Sequence, residues 1–117
     1  MRIGATYICG NIALGQFKIG LSRNPVGRFA NLQAGVPFIV DYTNVWSTEY
    51  PERLEKFLHE ELRDKRLRGE WFALAPEDFK RLYAAVARFW KANPPRATFQ
   101  EYEAALDRHA PYIAAAC

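Results

Sequence analysis

Two short stretches rich in β-branched and aromatic residues, Thr6-Tyr7-Ile8-Cys9 and Phe17-Lys18-Ile19-Gly20-Leu21-Ser22, stand on either side of a run of turn-forming residues. Gly10-Asn11 and Leu14-Gly15-Gln16 supply the turn chemistry, so the N-terminal segment predicts an antiparallel hairpin. The other segments have to be arranged around that hairpin.

Ser22 or Asn24 can cap a helix that takes Pro25 as its first residue and carries Phe29, Leu32 and Gln33 at helical spacing, until Gly35 and Pro37 stop it. This short helix presents Arg28. The run from Phe38 to Trp46 reads as a third, mostly buried strand. Ser47 or Thr48 then opens a helix predicted to reach about Arg66, with Leu54, Phe57, Leu58 and Leu62 as its apolar stripe. Glu55 and His59 lie one turn apart beside that stripe. Gly69 is expected to end the helix, and residues 70–74 form a short extended segment returning to the core. Pro76 starts a further helix with Phe79, Leu82, Tyr83, Val86, Phe89 and Trp90 at helical intervals. After Asn93-Pro94-Pro95 a last helix begins near Thr98. There are no internal repeats and no low-complexity linker.

A chain of 117 residues, half of them hydrophobic and 15% aromatic, suffices for one compact domain with a core. Its net charge of +3 permits an anionic partner without requiring one. Arg63, Arg66 and Arg68 cluster at the predicted helix end, where cations complement the helix dipole or meet a phosphate backbone. Cys9 and Cys117 are too few for a disulfide framework, which suits a reducing compartment. No basic-then-apolar leader precedes Tyr7, and no apolar run approaches the roughly 18 residues a membrane span needs. A soluble, cytoplasmic protein is therefore expected.

The order of elements and residues resembles the GIY-YIG nuclease superfamily, in a branch common in phage and bacterial proteins. The matching pieces are Ala5-Thr6-Tyr7 at the first signature and Lys18-Ile19-Gly20 at the second, then Asn24-Pro25 with Arg28, Leu32-Gln33, Glu55 with His59, and Gly69-Glu70-Trp71-Phe72. They cover roughly residues 5–74, and six pieces in the right order are more specific than any one triplet. The resemblance implies an α+β fold: a small three-stranded antiparallel sheet flanked by helices, with residues 1–75 as the nuclease core. Residues 76–117 would be a C-terminal helical extension of two helices packed on the same domain. It also implies metal-dependent hydrolysis of DNA. In that frame Tyr7 lies beside the attacking water, Arg28 holds the scissile phosphate, and Glu55 anchors one divalent metal, Mg²⁺ or Mn²⁺. Lys18 stands where the family has a second tyrosine. An amine there takes a proton from water only if burial or a neighbouring cation lowers its pKa; otherwise it clamps phosphate.

The chemistry of these residue types agrees with that frame. Phosphodiester cleavage needs an in-line water, neutralisation of the non-bridging oxygens and help for the leaving oxygen. Arg28 offers a planar fork suited to phosphate, and Glu55 a hard oxygen ligand suited to an ion that keeps most of its water. His59 could bond a metal-bound water, contact the substrate or orient Glu55. Each residue also has a plain reading. Tyr7 is by default a core residue, Lys18 a solvated strand residue, and Glu55 one glutamate among several on a charged helix. Gly20 marks either substrate approach or close packing, and Glu70 is a second carboxylate or an ion-pair partner for Lys18 or Arg28.

Two further functions remain open at this level: a nucleic-acid-binding module that does not cleave, and a protein-interaction domain on the same fold. A protein partner or a second copy of the chain could supply specificity.

Overall fold

The computed structural model of the protein describes residues 3–22 and 36–105. The predicted hairpin is its centre. Strands β1 (Gly4–Asn11) and β2 (Gln16–Ser22) pair antiparallel, with Tyr7 opposite Gly20 and Cys9 opposite Lys18. The reversal is fixed by Asn11, whose side-chain oxygen accepts the Leu14 N–H at 2.9 Å, and by Gly15 at φ +65.

The third strand, β3 (Tyr42–Thr48), pairs with the other edge of β1 and starts later than the sequence suggests. Residues 38–41 have the composition of a strand, but the hairpin turn claims their backbone. Asn11 donates to the Ile39 carbonyl at 2.9 Å, and the Ile12 N–H donates to the Asp41 carboxylate at 3.0 Å. At its other end β3 continues through Ser47 and Thr48, which pair with Ala5 and Gly4 rather than opening a helix. The Thr48 hydroxyl accepts the Tyr50 N–H, and helix α1 (Pro51–Glu61) begins on its proline.

Helix α1 is shorter than its predicted extent to Arg66. A 3₁₀ turn over Arg63–Lys65 leads into a fourth strand, β4 (Arg66–Arg68), which pairs with β5 (Trp71–Ala73). Gly69 therefore serves a two-residue hairpin turn at φ +57 instead of a helix end. Because β5 pairs with β2, the sheet has five strands in the order β3-β1-β2-β5-β4, two more than the expected three. The class is α+β as expected. Helix α2 (Asp78–Ala92) follows, and residues 99–105 are helical again.

One face of the sheet carries the main core. Ile8, Phe17, Ile19 and Trp46 meet Leu54 and Leu58 of α1, Leu62 at its C-terminal cap, and Leu82, Ala85, Val86 and Phe89 of α2. The leucines recur every fourth position, so α1 lays one stripe along the hairpin. The opposite face has a smaller cluster of Ala5, Tyr7, Cys9, Val40 and Val45. Strand alternation thus sends neighbouring residues of β1 and β2 into two separate environments.

Candidate functional site

The described candidate residues reach one short piece of β2, Lys18-Ile19-Gly20, from the two faces of the sheet. Each of the three makes a different connection. The Lys18 ammonium lies 3.5 Å from the Glu70 carboxylate, with the two side chains 19% and 35% exposed. Glu70 occupies the β4–β5 turn, and its carbonyl accepts the Ile19 N–H at 3.0 Å. The ion pair is therefore braced by a backbone contact one residue away.

Ile19 turns its side chain into the main core and its carbonyl toward α1. His59 places Nε2 at 2.9 Å from that oxygen, so this ring nitrogen donates its hydrogen. The imidazole also packs edge-on against Phe72 and comes within 3.7 Å of Glu55 Oε1. The contact at Ile19 depends on β5 having turned away. Strand β2 pairs with β5 only as far as Lys18, which leaves the next carbonyl to a side chain from α1. His59, and Glu55 one turn before it on α1, are thereby tied to Ile19 of β2.

Gly20 is required by Tyr7. A Cβ at Gly20 would lie 2.7 Å from the Tyr7 hydroxyl oxygen, a separation real side chains do not tolerate. The close approach read from the sequence as substrate or helix packing is made by the cross-strand tyrosine. Tyr7 itself is fully buried, its ring in the smaller cluster with Cys9 and Val45.

His59 and Glu55 thus reach β2 from the α1 side of the sheet, while Lys18 and Tyr7 lie on its other side, Lys18 paired with Glu70 and Tyr7 beneath Gly20. Arg28 and its predicted helix lie outside the described residues. Two features of the neighbourhood escaped the sequence. The hydrogen bond from His59 to Ile19 could not be read from an i, i+4 spacing, which says only that Glu55 and His59 share a face. The β4–β5 hairpin was concealed because three basic residues after a long amphipathic stretch look like a continuing helix.

Electrostatically, Cys9 faces Lys18 across the hairpin. Burial pushes its thiol up to about 12, with the Lys18 charge pulling in the other direction. Cys9 is a free cysteine held as a neutral, apolar wall rather than a nucleophile. No group of three or more His, Cys, Asp or Glu side chains forms a ligand cluster among the described residues. No helix among them is long and apolar enough to cross a membrane.

Comparison with protein families finds that residues 4–91 match the model of the T5orf172 domain, a span from β1 through nearly all of α2. Comparisons with curated proteins and with solved structures give no match.

Proposed function

The chain belongs to the T5orf172 domain family, and from that premise we propose that it is a metal-dependent endonuclease that hydrolyses DNA phosphodiester bonds. The observation that carries this reading is that His59, beside Glu55, binds the Ile19 carbonyl from the α1 face, while Lys18, one residue earlier on β2, stands on the opposite face paired with Glu70. A cation, an imidazole and a carboxylate are the groups that phosphoryl-oxygen chemistry uses.

The donor chemistry fits a hard divalent ion. His59 Nε2 is engaged by the Ile19 carbonyl, so Glu55 would hold the ion through carboxylate oxygen, the ligand Mg²⁺ or Mn²⁺ prefers. When bound, that ion would neutralise phosphate charge and polarise a water. The protein's own groups do the rest. Lys18 binds a non-bridging oxygen, with Glu70 holding its ammonium in place between turnovers. Arg28 is assigned the bidentate grip on the scissile phosphate from its place in the resembled motif. His59, held by the Ile19 carbonyl and by its edge-on packing on Phe72, keeps its Nε2 beside Glu55, and Tyr7 positions Gly20 from below.

The test is nicking of supercoiled plasmid. Activity should require Mg²⁺ or Mn²⁺, disappear in EDTA, and fall by at least about a hundredfold in Glu55→Ala and Arg28→Ala while both variants keep wild-type melting temperatures. Wild-type cutting by both variants overturns the reading.

The burial of Tyr7, together with the lysine at Lys18, favours one alternative: a nucleic-acid-binding module that does not cleave. It expects salt-sensitive DNA binding with no metal-dependent cutting on any DNA topology.

A further inference from the structure

The strand pairings align Lys18 of β2, Trp71 of β5 and Arg68 of β4 in one transverse row. Laterally paired residues project to the same face of a sheet, so a lysine and an arginine flank an indole, their Cα atoms roughly 10 Å apart across two strand spacings. The row depends on an irregularity. The register shifts between Arg66 and Arg68, which turns Arg68 onto the Trp71 side while Arg66 stays opposite Phe72. Trp71 is half-buried and held by an edge-on contact with Phe38, ring centres 5.7 Å apart. Arg68 is exposed and has no acidic partner among the described residues.

We propose that Trp71 is a stacking platform for an unpaired nucleotide of a DNA strand, with Arg68 and Lys18 meeting the phosphates on either side. A rigid indole between two cations is the arrangement that holds single strands without reading sequence, because every base offers a π-face. A fully paired duplex keeps its bases stacked on each other and cannot occupy the indole. Glu70, beside Trp71, holds the Lys18 ammonium until a phosphate of the bound strand takes its place. This proposal rests on the DNA reading above and extends it to local strand separation at the site.

The experiment uses the full chain in EDTA, so that binding is read without cleavage. A short fluorescein-labelled single strand should bind more tightly than the same sequence annealed to its complement, and should quench tryptophan fluorescence. Trp71→Leu should weaken single-strand binding about fivefold or more, whereas Trp71→Phe retains most of the affinity and loses the quench. Arg68→Ala, on an exposed edge strand, should keep the fold and lower the slope of log affinity against log salt by about 0.7. Equal single-strand affinity in the wild type and a folded Trp71→Leu, or an unchanged quench in Trp71→Phe, overturns the platform. Those results leave the nuclease reading standing if metal-dependent nicking persists. Platform behaviour without nicking under any metal overturns the nuclease reading alone.

Discussion

A methyl group on Gly20 would sit 2.7 Å from the Tyr7 hydroxyl oxygen and 2.9 Å from Tyr7 Cζ. Gly20→Ala therefore forces the ring or strand β2 to move, and about 1–3 kcal/mol of stability should be lost in urea unfolding. Tyr7→Phe in the same chain removes the closest atom and should recover part of that loss. Simple addition of the two single effects would show that the residues do not share the clash. At this scale the sequence was informative about identity and silent about cause. A glycine within a strand pattern announces a close approach. Only the register, Tyr7 opposite Gly20, says that the neighbour is a phenol on the same sheet. The same limit applies to His59, whose partner is a backbone oxygen 40 residues earlier in the chain.

Among the elements, the segment after α2 is tied to the sheet by one buried carboxylate. Glu49, 9% exposed, follows β3 and accepts the Arg96 N–H at 2.9 Å together with the Ala97 N–H. Glu49→Ala leaves those donors without their partner in a half-buried setting, a loss of about 1–3 kcal/mol. Hydrogen exchange should show faster exchange at Arg96 and Ala97, with protection in β1 and β2 unchanged. Unaltered exchange at both amides would remove Glu49 as the fastening. Helices α1 and α2 were legible from their apolar periodicity, because Leu54, Leu58 and Leu62, then Leu82, Val86 and Phe89, mark the buried stripe directly. Their ends were less so. Ser47 and Thr48 are good helix caps in isolation, but backbone pairing with Ala5 and Gly4 holds them in β3. Arg66-Leu67-Arg68 suits a helix by propensity and becomes a strand because β5 offers it an edge.

For the molecule as a whole, burial sets a response to alkaline pH. Burial pushes the Cys9 thiol up from 9.0 to about 12, and burial with the nearby Glu49 charge pushes the Tyr102 phenol up from 10.0 to about 12. Below pH 9 both groups keep their protons whether the chain is folded or not. Between about pH 9 and 12 the unfolded chain releases protons that the fold retains, so stability falls as pH rises. The urea midpoint should drop progressively above pH 9, and Cys9→Ala should flatten the earliest part of that drop. An identical slope in Cys9→Ala would mean the thiol does not contribute. By itself the sequence determined the hairpin and the apolar stripes of α1 and α2, because these follow from local periodicity and turn chemistry, whereas the α+β class came from the resemblance and matches the observed fold. Tertiary structure alone decided the five-strand sheet, the burial of Tyr7, the pairing of Lys18 with Glu70 and the alignment of Trp71 between two cations. Those depend on which strand edges find each other, and backbone hydrogen bonding between distant segments leaves no periodic trace in either of them.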